Sequence, residues 1–256
     1  MIGMFDSGLG GLSVWRAVSA LLPELPLWYV ADQARAPYGG RDHGEIIDRS
    51  LRIGRHMQAG GAELLVVACN TATAVAVTHL RRALSIPVVG VEPAVKPAAI
   101  ATKSGKVGLL ATKVTLESRR LKALIENYAA DVEVILQPGT GLVEQVEAGE
   151  LDSADTRALV AAAIVPFLNA GVDQIVLGCT HYPFLSPLIR DIAGPDIELL
   201  EPATAVARRV SSLAGPVHRV CRDTPHQFMS TAPSQRSTLA MHRMLGFSFP
   251  VMPLQL

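Results

Sequence analysis

Twice along this chain the same order of residues returns at the same spacing. Gly61-Ala-Glu-Leu-Leu-Val-Val-Ala-Cys69-Asn-Thr71 is answered by Gly171-Val-Asp-Gln-Ile-Val-Leu-Gly-Cys179-Thr-His181, with the cysteine eight residues after the glycine each time. Each copy reads as a glycine closing one helix, an acidic residue, an apolar strand and a cysteine just past the strand end. Glu92-Pro93-Ala94 and Glu201-Pro202-Ala203 follow 23 and 22 residues after the two cysteines. Upstream, Gly3 to Asp6-Ser7 loosely answers Gly108 to Ala111-Thr112. Common βα units yield echoes of glycine caps and Val/Leu strands. The shared spacing, the cysteine and the Glu-Pro-Ala together favour two similar lobes.

The elements around the repeat alternate. Apolar runs read as strands at Ile2–Phe5, Leu27–Ala31, Leu64–Ala68, Val88–Val91, Val107–Leu110, Val132–Leu136, Gln174–Leu177 and Glu198–Leu200. Helical periods lie at Leu12–Leu22, Gly44–Gln58, Thr73–Ala83, Leu116–Tyr128, Ser153–Asn169 and Leu185–Ala193. Continuously apolar strands alternating with helices predict an α/β fold of two similar lobes. Each lobe is a mainly parallel sheet flanked by helices, the pair is related by a pseudo-twofold, and the active site lies in the cleft between them. The lobes are expected to comprise residues 1–95 with 206–256, and 96–205. The last forty residues change character, Gly215–Thr238 being rich in Pro, Ser, Thr and His. A strand at Phe228–Thr231 and a helix at Ser237–Leu245 are expected to return to the first lobe's sheet.

Composition removes several classes of function. Twenty-three basic and 23 acidic residues leave no net charge, against the basic excess of a dedicated nucleic-acid binder. The longest nearly unbroken apolar run, Ala158–Leu168, is 11 residues with Pro166 inside, where a membrane span needs about 20. The start, MIGMFDSGLGG, has neither a basic region nor an apolar signal core. Three cysteines (Cys69, Cys179, Cys221) without a CxxC pair argue against a disulfide scaffold and for a reducing cytoplasm. No metal site is expected, since Cys179 and His181 lack a second close pair of ligands. All five lysines fall between 96 and 122, none in a loop suited to a Schiff base, so no pyridoxal cofactor is expected.

The chemistry is sought where parallel strands end, the edge at which open α/β sheets bind ligands. Cys69 with Asn70, Thr71 and Thr73, and Cys179 with Thr180 and His181, stand at two such edges. Hydroxyls, amides and the N–H groups opening the next helix can hold a carboxylate there. A lone cysteine is more often a buried structural residue; matched placement in two lobes reverses that preference. Two thiols on opposite faces of one carbon can exchange roles as base and acid, which is what inversion of a stereocentre requires. His181 could act as an acid, orient the substrate or perturb Cys179, against the ordinary reading of a structural histidine. The loop Asp6-Ser7-Gly8-Leu9-Gly10-Gly11-Leu12-Ser13, with Asp32 22 residues past Gly10, also invites a dinucleotide-site reading. Ser13 in place of the third glycine and the negative Asp6 count against it. The loop is read instead as a turn presenting Asp6 and Ser7, with an N-cap role for Asp6 as the plain alternative. Pro37-Tyr-Gly-Gly40 reads as a surface loop. Glu144 and Glu147 fall in a helix whose default is solvated surface.

Taken together, the stretches FDSGLGGLSV (5–14), ADQARAPYGGR (31–41), VVACNTATA (66–74), VVGVEPAVKPA (88–98), GLLATKVTLES (108–118), GLVEQVEAGEL (141–151) and LGCTHYPFL (177–185) resemble the glutamate racemases of the cofactor-independent aspartate/glutamate racemase superfamily. The resemblance implies two lobes, no cofactor, glutamate as the small-molecule substrate, a homodimer, and D-glutamate supply for bacterial peptidoglycan. It implies Cys69 as the base acting on D-glutamate and Cys179 as the base acting on L-glutamate. Asp6 and His181 would assist them, with Glu144 a weaker candidate for the same role. Asp6, Ser7, Tyr38, Gly39, Asn70, Thr71, Thr180 and His181 would bind substrate, with Thr112 and Thr115 less firmly placed. Two rivals stay open: a racemase for another amino acid such as aspartate, and a nucleotide-binding regulatory protein using the glycine loop.

Overall fold

In a computed structural model describing residues 1–214 and 225–256, the strands form two separate sheets, every pairing within them parallel. Cys221 and the opening ten residues of the Pro/Ser/Thr/His-rich stretch lie outside the described residues. The strands are β1 (Ile2–Asp6), β2 (Leu27–Ala31), β3 (Leu64–Val67), β4 (Val88–Gly90), β5 (Lys106–Ala111), β6 (Glu133–Pro138), β7 (Gln174–Leu177), β8 (Glu198–Leu200), β9 (Gln227–Ser230) and β10 (Val251–Pro253). The helices are α1 (Leu12–Leu21), α2 (His43–Ala59), α3 (Asn70–Ala83), α4 (Val95–Ala101), α5 (Lys113–Leu116), α6 (Arg119–Tyr128), α7 (Leu142–Ala148), α8 (Ala154–Ala170), α9 (Ser186–Ala193), α10 (Ala203–Ala214) and α11 (Gln235–Leu245).

Strand order makes the duplication visible. One sheet runs β10-β9-β2-β1-β3-β4 and the other β6-β5-β7-β8. Adding four to each strand number of β2-β1-β3-β4 reproduces the second sheet. The first sheet is then extended on its β2 side by the tail, with Trp28 opposite Gln227 and Ala31 opposite Ser230. The two repeat glycines turn the chain in the same way. Gly61 has φ 89° and Gly171 φ 72°, a left-handed backbone that side chains with a Cβ rarely adopt. Strands β1, β2, β3 and β7 are buried along their whole length, as strands covered by helices on both faces must be.

The differences from the sequence reading have local causes. Helix α3 begins at Asn70 rather than Thr73, because Cys69 itself caps it: the sulfur accepts the Ala72 N–H at 3.4 Å. The expected helix Leu116–Tyr128 is two helices, split where Ser118 accepts the Leu121 N–H at 3.1 Å and starts α6. Strand β10 carries no periodicity in three residues, and its Pro253 suits only an edge. Among the described residues no helix is long and apolar enough to cross a membrane.

Because all strands are parallel, each sheet has one C-terminal edge, and the loops leaving those edges meet. Ser13 Oγ donates to the Thr180 carbonyl at 2.9 Å, the Thr180 hydroxyl donates to Asp6 Oδ2 at 3.1 Å, and Thr71 Oγ1 lies 2.9 Å from Thr112 Oγ1. The apolar core is continuous across this junction, with Leu9, Leu12 and Trp15 in one cluster with Leu142, Val146 and Tyr182.

Candidate active site

Asp6 closes β1, and its carboxylate is fully buried. Its Oδ1 accepts the Gly8 N–H at 2.7 Å, which bends the chain sharply. The N-cap of α1 is Gly11, so the plain capping role for Asp6 is not the one it has. Burial raises its pKa, partly offset by the charge of His181 and the Gly8 N–H. Ser7, on the same turn, has its hydroxyl 3.8 Å from the Cys69 sulfur.

Cys69 and Cys179 are free thiols, 5% and 6% exposed, one following β3 and the other β7. Burial pushes the Cys69 thiol strongly up, and the charge of Asp6 adds to it. Cys179 has a different neighbour: His181 Nδ1 lies 3.7 Å from its sulfur. The other face of that imidazole meets Glu147, with Nε2 2.7 Å from Oε1. Burial opposes the imidazolium, yet the hydrogen bonds to Cys179 and Glu147 outweigh it and raise the His181 pKa well above the usual histidine range. The raised pKa favours the imidazolium, with Nδ1 turned toward the sulfur, while Nε2 lies between Glu147 Oε1 at 2.7 Å and the Gly10 N–H at 3.2 Å. One thiol thus sits in an anionic, desolvated corner and the other beside a positive charge.

Glu147 is the residue the sequence reading missed. Both helix glutamates default to solvent there, and Glu144 is the one the resemblance raised. In the structure Glu147 is largely buried, and its Oε1 also accepts the Leu9 N–H at 2.5 Å. The signal was available: Glu147 is four residues after the buried Val143 of α7, so the two share a helix face and its stem points inward. Glu144 is exposed and lines two cavities of about 390 and 240 Å³, the larger of which Glu147 lines as well.

The glycine loop now has a physical reason. A Cβ on Gly10 would land on the His181 imidazole, and one on Gly8 on the Glu147 carboxylate. The glycines let the first lobe's backbone abut the second lobe's His–Glu pair, and that packing fills the space a pyrophosphate would need. Asp32, the acidic residue of the nucleotide reading, is fully buried and held by Arg49. Gly10→Ala is expected to lower kcat by about a hundredfold, the order produced by an ångström of misplacement. Far-UV circular dichroism should stay unchanged, and the kinetics of the purified variant check the prediction.

The remaining predicted residues gather at the same junction. Asn70, Thr71, Thr115 and Thr180 are buried; Asn70 Nδ2 donates to the Val91 carbonyl at 3.3 Å, leaving Oδ1 without a partner among the described residues. Thr112 caps α5 and hydrogen-bonds Thr115 at 3.0 Å. Tyr38, expected in a surface loop, is 1% exposed, and its hydroxyl donates to Asp32 Oδ2 at 2.6 Å. What that turn offers the cleft is its backbone: Gly39 and Gly40 line the 240 Å³ cavity with Thr112 and Lys113. Among the described residues no cluster of three His, Cys, Asp or Glu side chains converges as a metal site.

The fold and the site thus combine two buried thiols with unequal partners, each following the corresponding strand (β3 or β7) of duplicated parallel sheets. Residues 12–210 match the model of the Asp/Glu/hydantoin racemase family, and the chain belongs to that family. Within it the similarity runs to glutamate racemases. That of Herpetosiphon aurantiacus is 53% identical over 212 residues, covering 83% of this chain and 84% of the relative. The crystal structure of glutamate racemase isoform RacE1 from Bacillus anthracis superposes with a TM-score of 0.88 at 30% identity, over 100% of this chain and 97% of that one. The Escherichia coli glutamate racemase, solved with L-glutamate and the activator UDP-MurNAc-Ala, gives 0.87 at 31% identity, over 98% and 97%.

Proposed function

We propose that this chain interconverts L- and D-glutamate by moving the α-proton between Cys69 and Cys179. The observation that carries the reading is the repeat-related pair of buried cysteines at the two sheet edges whose loops meet, each with its own charged neighbour. The lobes 1–95 with 206–256, and 96–205, act as the two jaws.

With L-glutamate bound, the Cys179 thiolate, held by the His181 imidazolium, takes the α-proton. The C–H bond breaks, an S–H bond forms, and the electron pair passes into the α-carboxylate. The Cys69 thiol, kept protonated by burial and by Asp6, then gives its proton to the opposite face. Turnover leaves the thiols exchanged, and the reverse reaction or proton exchange with solvent resets them. The α-proton is far less acidic than a thiol, so charge developing on the carboxylate must be met by fixed donors. Ser7, Asn70, Thr71 and Thr180, all buried, supply hydroxyl and amide groups for this. Closing the lobes over them removes water and strengthens each bond.

The test is incubation of purified protein with L-glutamate in heavy water, without added cofactor. D-glutamate is expected, with one solvent deuterium at Cα of each product molecule. Product retaining its original hydrogen would rule out the two-thiol route. Aspartate run in parallel decides the substrate, with glutamate expected to turn over and aspartate not. On this reading the protein works in the cytoplasm as a homodimer, supplying D-glutamate for peptidoglycan; sedimentation of the purified chain tests the assembly.

A further inference from the structure

Beneath the Pro37–Gly40 turn lies an ion pair that the proton transfer does not use. Asp32, fully buried, accepts a two-pronged bond from the Arg49 guanidinium: Nη2 to Oδ1 at 2.7 Å and Nε to Oδ2 at 3.0 Å. Oδ2 also takes the Tyr38 hydroxyl at 2.6 Å, and Oδ1 takes the Thr231 hydroxyl at 2.8 Å. One carboxylate therefore joins the turn, helix α2 and the chain leaving β9.

We infer that the Asp32–Arg49 pair is a positioning device that sets how tightly the Tyr38–Gly40 turn closes over the substrate. A buried ion pair of this kind adds little net stability over apolar side chains of equal volume, so its contribution here is geometry. The planar fork of Arg49 fixes the carboxylate in rotation, which a lysine ammonium cannot do. The fixed carboxylate in turn fixes the Tyr38 phenol, and Tyr38 packs in the same apolar cluster as Cys69. From Tyr38 the turn runs directly to Gly39, whose missing Cβ would stand 3.3 Å from the Thr112 Cβ. Thr112 holds Thr71 at 2.9 Å, across the line where the two sheet edges meet. A displacement of Tyr38 is thereby passed to the contact that closes the cleft. Burial raises the Asp32 pKa, but the bonds from Arg49, Tyr38 and Thr231 outweigh it and hold the carboxyl ionised, so the hub stays charged.

The inference rests on the racemase reading, and its test is separable from it. Arg49→Lys keeps the charge and removes the fork. It is expected to raise KM for L-glutamate about tenfold while kcat changes less than about threefold, because proton transfer between the thiols is untouched. Tyr38→Phe removes the bond through which Arg49 acts. In that background the same Arg49→Lys replacement is expected to change KM by less than about twofold. A purely structural role would lower the melting temperature of Arg49→Lys and leave the KM of the folded fraction where it was. Thr231→Val, which removes one neutral donor from the same carboxylate, gives the second reading should Arg49→Lys not fold. It is expected to raise KM about threefold, again only when Tyr38 carries its hydroxyl. An unchanged KM in the folded variants, or effects that simply multiply with Tyr38→Phe, overturns the positioning role. Absence of racemisation in the unmodified protein overturns the racemase reading instead.

Discussion

Replacing Cys69 or Cys179 by serine is expected to lower racemisation by about three to four orders of magnitude, ~4–5.5 kcal/mol of barrier. Serine is nearly the same size and can keep the local hydrogen bonds, at Cys69 those to the Ala72 N–H and the Ser7 hydroxyl. The fold should survive, with melting temperature shifted by a few degrees at most. What is lost is the acidity: a hydroxyl is a far weaker acid than a thiol and cannot ionise at neutral pH. The equilibrium constant of a racemisation is one, so kcat/KM must fall by the same factor from either enantiomer, whichever cysteine is removed. The two variants are told apart by isotope exchange without inversion. With Cys69→Ser, Cys179 still removes and returns the proton on one face, so deuterium should enter unconverted L-glutamate. With Cys179→Ser it should enter unconverted D-glutamate. Near-normal conversion by either variant removes the two-base mechanism.

The second large effect is expected at His181. His181→Asn keeps a polar group of similar reach but cannot carry positive charge, so it leaves the Cys179 sulfur without the imidazolium 3.7 Å away. A loss of about 10²- to 10³-fold in kcat is expected, with KM little changed, since the charge is needed by the thiolate rather than by bound substrate. The pH profile separates this from misfolding. The His181 pKa is raised in the fold, so its charge is fully present at low pH and is lost as pH rises through the raised value. The unmodified enzyme should therefore lose kcat/KM on the alkaline side as the imidazolium deprotonates, and His181→Asn should lack that limb. Glu147→Gln should move the limb to lower pH, because the carboxylate at 2.7 Å is one of the groups holding the proton on His181. An identical alkaline limb in all three proteins would mean that another group titrates there.

The candidate site is partly legible in the chain itself. Cys69 and Cys179 announce themselves because both stand just past a strand in a repeat of equal length. The structure has each following a strand at the edge where the two sheets' loops meet, and Asp6, Thr71 and Thr180 make bonds across that junction. The spacing of Glu147 from Val143 shows that its stem turns inward, but nothing in a single chain says that the face it shares meets another lobe. Tyr38 reads as surface because Pro-Tyr-Gly-Gly is turn chemistry, and turn chemistry does not say what the turn lies against. The glycine loop is ambiguous for the same reason. Gly8 and Gly10 serve close approach to Glu147 and His181, residues more than a hundred positions away.

Read alone, the residues determine the local structure and its duplication. Continuous apolar runs make buried parallel strands, caps start and stop the helices, and matched spacing points to two similar lobes. These properties depend on neighbours within a few turns of chain, which is why they can be read from it. Only the tertiary structure decides that one thiol faces an imidazolium and the other a carboxylate. It likewise decides that Asp32 closes on Arg49 rather than on a ribose, and that a last strand, β10, pairs with β9 at the sheet's edge. Those outcomes depend on burial and on charges brought together from distant positions, and a low-dielectric contact has no counterpart in the order of residues along the chain.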